Sequence, residues 1–247
     1  MELTDFFRKH PHLALAFSGG TDSAYLLWAA KEAGADVRPY FIKTAFQPAF
    51  ELEDARRLAA ELSVPLRVVE ADILSLDAVA ANPPERCYHC KRALFTALRA
   101  AAAADGYAAV IDGTNASDDA ADRPGMRALP ELGVLSPLWL CGITKEEVRR
   151  RSRAAGLFTA EKPAYACLAT RIPTGEAITA ETLRRVEGAE TALSAMGFSD
   201  FRVRLFHGAA RLQLPGEQLS RAAALCGQIR EALSPYFAEV LLDLKER

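Results

Sequence analysis

The hexapeptide SGGTDS at positions 18–23 constrains this chain more than any other feature. It follows the short apolar run 13–17, which reads as a buried strand. It precedes the helix-forming run 24–33, which Gly34 closes. Gly19 and Gly20 permit tight backbone conformations and close approach of a ligand. Successive backbone N–H groups of such a turn form an anion nest, with the positive end of the helix behind it. Ser18, Thr21 and Ser23 add hydroxyl donors. Asp22 would repel phosphate, and makes sense with Mg²⁺ between its carboxylate and the phosphate oxygens. The loop has neither the Lys-Ser/Thr of a Walker A motif nor the GxGxxG of a dinucleotide fold. Plain strand-to-helix turns also use Gly, Ser and Asp, but the whole hexapeptide in this context points to a nucleotide phosphate site.

The rhythm continues for some 140 residues. Runs 37–42, 66–69 and 108–111 read as strands, and 51–62 and 90–104 as helices. Thr144 and Glu147 have capping-box spacing at the start of a helix over 144–155. Strand–helix alternation at these lengths predicts an α/β fold: a parallel sheet with helices on both faces. The stretch EKPAYACLATRIPTGEAIT is irregular and reads as a functional loop or hinge. Beyond it come a helix over 180–196, a hairpin of strands 201–206 and 211–214 turned at HGAA, a helix over 219–233 and a strand over 239–244. The expected division is 1–160 for the nucleotide domain, 161–178 for the active-site loop and hinge, and 179–247 for a smaller C-terminal α+β domain serving substrate or oligomer contacts.

Half of the 247 residues are hydrophobic, enough for a real core, and the net charge is -2. Near balance gives no electrostatic reason to expect nucleic-acid binding. Arg149, Arg150, Arg151 and Arg153 form a local basic run, read as a solvated helix face. No apolar run approaches the roughly 20 residues that span a bilayer, and the N-terminus lacks the regions of a signal peptide. A cytoplasmic protein with reduced cysteines is expected.

DGTNASDD at 112–119 ends the fourth predicted strand, where open parallel sheets bind ligands. Gly113, Thr114, Asn115 and Asp118 are therefore candidates to face nucleotide or metal, although a turn or helix cap uses the same residues. Cys87 and Cys90 form a CxxC, compatible with half a zinc site, a redox pair or part of an iron–sulfur site. Cys167 lies in the irregular loop; Cys141 and Cys226 sit in apolar surroundings and read as core thiols. Three cysteines around a [4Fe–4S] cluster leave one iron open to a substrate sulfide. A thiolate is also a suitable nucleophile toward an adenylated carbon.

SGGTDS and the helix behind it resemble the PP-loop ATP pyrophosphatases. That resemblance implies ATP cleavage between the α and β phosphates and adenylation of a substrate oxygen. ERCYHCK, SPL at 136–138 and KPAYACLATRIPTG narrow it: over about residues 12–215 the chain resembles the LarE family. These are ATP-dependent sulfur transferases acting on pyridinium-3,5-biscarboxylic acid mononucleotide, in nickel-pincer nucleotide biosynthesis for lactate racemase and related enzymes. The resemblance implies a small-molecule nucleotide substrate, no membrane partner and a homo-oligomer, a hexamer in the family. It implies ATP, Mg²⁺ and a [4Fe–4S] cluster on Cys87, Cys90 and Cys167, with Cys167 catalytic. In members without the CxxC, the matching cysteine is itself the sulfur donor and becomes dehydroalanine. It further implies Asp22 and Arg171 in catalysis, with Arg171, Glu190, Arg202, Arg204, His207 and Arg211 as substrate or phosphate contacts. The chain departs from the family pattern at Thr170, Thr174 and Gln213, where that pattern has Ser, Tyr and an acid. Competing readings are a PP-loop tRNA thiolase, an amidotransferase-type synthetase and a non-catalytic ATP- or zinc-binding module.

Overall fold

The computed structural model describes residues 1–118 and 124–246. In chain order the elements are α1 Leu3–Lys9, β1 His12–Ala16, α2 Thr21–Glu32, β2 Asp36–Lys43, α3 Ala49–Glu61, β3 Arg67–Glu70, α4 Asp77–Ala80, α5 Arg86–Ala104 and β4 Val110–Ile111. There follow α6 Ala128–Glu131, α7 Pro137–Leu140, α8 Lys145–Ala154, α9 Ala180–Ala195, β5 Arg202–Phe206, β6 Ala209–Gln213, α10 Gly216–Ala224, α11 Cys226–Leu233 and β7 Val240–Leu242.

The chain divides into two compact units: Met1–Ile73 with Glu85–Tyr165, and Leu74–Pro84 with Ala166–Arg247. In the first unit four parallel strands run in the order β3-β2-β1-β4. Side-chain alternation sends successive β1 residues to opposite faces. Leu13 and Leu15 pack with Phe6, Phe7, Leu26, Leu27 and Leu58 on one face. Ala14 packs with Tyr40, Phe95 and Leu98 on the other. Both faces of the sheet are therefore covered by helices, the α/β arrangement expected from the strand–helix alternation.

The second unit carries a three-stranded sheet, β5-β6-β7, with β5 antiparallel and β7 parallel to β6. His207 and Gly208, both at positive φ, make the two-residue turn between β5 and β6. The helix expected over 219–233 is two helices, broken at Leu225. Thr144 Oγ1 caps α8 by accepting from Glu147 N–H at 3.3 Å. The reciprocal half of that capping box is not made: the Glu147 carboxylate turns to Arg150 and Arg151. Among the described residues no helix is long and apolar enough to cross a membrane.

Candidate functional site

The loops after β1 and β4 line a cavity of about 480 Å³, with Ser18, Asp22, Ser23, Thr114 and Asp118 on its wall. Its other wall comes from α5 and includes Lys91 and Phe95. The cavity lies beyond the carboxyl ends of parallel strands, where such sheets bind ligands.

Space and backbone conformation both demand glycine in the loop. Gly19 has φ +69°, and a Cβ there would stand 3.0 Å from the Glu51 carbonyl and 3.1 Å from Ala55 N. A Cβ at Gly113 would meet Ser23 N at 3.0 Å, so the loop after β4 presses directly on the hexapeptide. Hydroxyls knit the turn together. Ser18 N–H donates to Ser23 Oγ at 3.3 Å, Gly20 N–H to Ser18 Oγ at 3.3 Å, and Ser23 Oγ to the Gly20 carbonyl at 3.2 Å. Thr21, expected among the donors to a ligand, is buried and donates to the Thr159 carbonyl at 2.8 Å.

Asp22 Oδ2 accepts from Lys145 Nζ at 2.7 Å, and its Oδ1 from Asn115 Nδ2 at 3.3 Å. The carboxylate that would repel phosphate thus has a cation against it. Lys145 escaped sequence reasoning, yet it opens α8, where the helix dipole disfavours a positive charge. That local mismatch was the available signal. Asp112, the first residue of DGTNASDD, is a further functional residue that the motif alone does not single out. It is buried and accepts from Thr114 Oγ1 and Ser136 Oγ, each at 2.6 Å, and from Thr114 N–H at 3.3 Å. It thereby shapes the loop that carries Thr114 and Asn115. Asp118 accepts from Asn115 N–H at 3.0 Å. Asp119, the last residue of the DGTNASDD motif, lies outside the described residues.

Lys162 reaches the hexapeptide from the chain's irregular stretch. Its Nζ pairs with Asp54 Oδ2 at 2.6 Å and donates to the Gly19 carbonyl at 3.3 Å. Arg149 holds that stretch by donating to the carbonyls of Ala160 and Lys162. Arg150 and Arg151 pair with Glu147, and Arg153 with Glu161. The basic run is therefore bound up within its own unit.

Cys87 and Cys90 lie in the first turns of α5, one turn apart and so on one face. Neither is in a disulfide; Cys87 is exposed, with its Sγ accepting from Arg86 Nη2 at 3.3 Å, and Cys90 is half-buried. A soft-metal cluster suits this thiol pair and its spacing. Cys167 is likewise outside any disulfide and half-buried. Among the described residues no three His, Cys, Asp or Glu side chains are gathered as a metal-ion set. Burial pushes the Cys141 thiol pKa up, which suits an inert packing role. Cys226, expected in the core, is exposed at the start of α11.

In the second unit Arg171 and Glu190, both expected at the substrate, face each other. Arg171 Nε donates to Glu190 Oε1 at 2.7 Å. Arg204 and Arg211 stand directly opposite on β5 and β6. Like charges so placed repel. Burial first, then the charges of Arg171 and Arg211, lower the Arg204 pKa. Gln213 accepts from Arg204 Nε and donates to Asp243 Oδ2 at 3.0 Å, so a carboxylate lies one hydrogen bond beyond it. Arg211 Nε is buried without a hydrogen bond, 3.6 Å from Asp243 Oδ2. Arg202 is buried and donates to the Phe201 carbonyl at 2.6 Å. His207 is exposed at the hairpin turn.

The chain matches no family model. It is 36% identical over 249 aligned positions to an uncharacterized protein of Synechocystis sp., covering 98% of this chain and 92% of that one. It is 32% identical to the pyridinium-3,5-bisthiocarboxylic acid mononucleotide synthase of Lactiplantibacillus plantarum, covering 94% and 85%. A narrower match, 33% identical over 60% of this chain and 51% of the relative, is to the tRNA-specific 2-thiouridylase MnmA of Salinispora tropica.

Proposed function

The chain belongs to the LarE family within the PP-loop superfamily, and we propose that it is an ATP-dependent sulfur transferase of nickel-pincer nucleotide synthesis. Its substrate in this reading is pyridinium-3,5-biscarboxylic acid mononucleotide. The observation that carries the reading is the glycine turn. α3 and the loop after β4 crowd it so closely that only backbone fits, and it opens on a cavity with Asp22 and Asp118 in its wall.

A substrate carboxylate oxygen attacks the α-phosphorus of ATP. The bond to the β-phosphate oxygen breaks, and pyrophosphate leaves with its electrons. The loop amides and the Ser18 and Ser23 hydroxyls receive the charge that grows on this leaving group. Mg²⁺, held by Asp22 and Asp118, would neutralise part of the same charge. The acyl adenylate then exchanges AMP for sulfur at its carbonyl carbon, giving a thiocarboxylate. Cys87, Cys90 and Cys167 would be the thiolates that hold a [4Fe–4S] cluster in this reading, and the cluster would be the source of sulfide. Arg202, Arg204 and Arg211 are assigned to the substrate's phosphate and carboxylate groups, with His207 as a further contact.

Mass spectrometry of the product from ATP and the biscarboxylate nucleotide tests the proposal. A thiocarboxylate with equimolar AMP and pyrophosphate is expected. ADP and phosphate, or no ATP use, would remove the enzyme reading. Sulfur appearing in tRNA instead would favour the thiouridylase reading raised by the MnmA match.

A further inference from the structure

We infer that Arg171 is a positioning residue, anchored on Glu190, that fixes the backbone on both sides of Cys167. The inference rests on the role proposed above for Cys167.

No part of the Arg171 side chain is exposed. A guanidinium withdrawn from water costs several kcal/mol unless it is paired and hydrogen-bonded. Arg171 meets that condition through a fork on Glu190, with Nε to Oε1 at 2.7 Å and Nη2 to Oε2 at 3.2 Å. Its Nη1 turns the other way. It donates to the Ala166 carbonyl at 3.0 Å and to Thr170 Oγ1 at 2.8 Å. Thr170 Oγ1 passes the connection on, donating to the Cys167 carbonyl at 2.8 Å, which also accepts Thr170 N–H at 3.0 Å.

The peptide planes before and after Cys167 are thus both tied to one guanidinium, the first directly and the second through Thr170. The anchor is itself fixed. Glu190 lies on α9 and accepts Val203 N–H of β5 at 3.0 Å, while Arg204 of β5 donates to the Thr170 carbonyl. Cys167 precedes a single 3₁₀ turn and has no helix or long strand to hold it. Sulfur chemistry demands such holding, because reacting atoms must approach to about 3–3.5 Å and a 1 Å misplacement can cost about 100-fold in rate. The fork that the sequence suggests for a substrate carboxylate is directed at an internal one.

The test uses the full chain with reduced thiols, alkylated by iodoacetamide and read by peptide mass spectrometry, with Cys226 as internal reference. R171K keeps the charge but loses the fork. T170V removes the link to the Cys167 carbonyl without removing a charge, and serves if R171K folds poorly. R171M/E190M replaces the buried pair by apolar side chains, an exchange that commonly preserves stability. A change of about tenfold in the Cys167 to Cys226 rate ratio is expected for all three variants. Thiocarboxylate kcat should fall while KM for ATP holds, and R171M/E190M should recover the melting temperature without recovering the ratio. An unchanged ratio in folded T170V and R171M/E190M overturns the inference and leaves the pair a stabilising one. Wild-type protein that forms no thiocarboxylate defeats the proposed function, while the alkylation ratio still decides the positioning role.

Discussion

Lys145 Nζ stands 2.7 Å from Asp22 Oδ2, joining the phosphate loop to the first residue of α8. The helix dipole opposes a cation at that place, and the Asp22 carboxylate is the partner that offsets it. Both side chains are partly exposed, and the pair adds little to stability. Its value lies in charge placement at the cavity. K145M is expected to raise KM for ATP by about tenfold with little change in melting temperature, and D22N to lower kcat by about 10²–10³. Pyrophosphate release against ATP concentration separates the two. Wild-type kinetics in both variants would place the triphosphate elsewhere.

Gly19 and Gly34 offer a matched comparison. Both have left-handed backbones, φ +69° and +71°. A side chain costs about 1–2 kcal/mol in that conformation. A Cβ at Gly34 meets nothing within 4 Å, whereas at Gly19 it meets the backbone of Glu51 and Ala55. G34A should therefore lower the melting temperature and leave ATP affinity alone. G19A should lose ATP binding as well, because the loop must move off α3 to make room. Calorimetric ATP titration of the two proteins checks this, and equal affinities would refute the crowding argument.

What the sequence made legible follows from how local each signal is. The glycine turn, its flanking strand and helix, and the alternation behind the parallel sheet are short-range patterns, and each is found at its place. The break at Leu225 has no proline beside it; the one weak helix former nearby is Gly227, which falls inside α11. Ala222 and Ile229, seven residues apart, are both buried, as one face of an unbroken helix would also place them, so the burial pattern gives no sign of the break. Lys162 and Asp112 carry no local signal, their partners lying 143 and 24 residues away in sequence; Lys145, whose partner is 123 residues away, shows locally only as a cation at the wrong end of a helix. From sequence Arg171 reads as a substrate fork, because its residue type announces a carboxylate without saying which one.

The cysteines make a prediction about iron. Anaerobic reconstitution of the full chain should give a brown protein with about four irons per chain. C87S, C90S and C167S should each reduce iron content and end multiple turnover. Iron analysis with absorbance spectra, alongside a count of thiocarboxylates formed per chain, decides between two sulfur sources. Colourless protein that turns over once and leaves dehydroalanine at position 167 would sink the cluster and establish Cys167 as the donor.

Glu147 supplies a pH test of the helix that carries Lys145. Hydrogen bonds from Arg150 and then Arg151 hold its carboxyl at about 2, against an ordinary 4.5. A carboxyl depressed in the folded state takes its proton more readily in the unfolded chain. Its contribution is therefore complete above about pH 4.5 and is lost as pH falls through about 2. E147Q lacks that contribution at every pH. The gap in melting temperature between wild type and E147Q should be widest above pH 4.5 and close toward pH 2. High salt should narrow it at neutral pH, since the arginines are solvent-accessible. Other carboxylates titrate in the same window, but they do so in both proteins and cancel in the difference. A gap that stays constant from pH 7 to pH 2 would mean that Arg150 and Arg151 do not hold the carboxylate in solution, and that Glu147 supports α8 through its backbone bond to Thr144 alone.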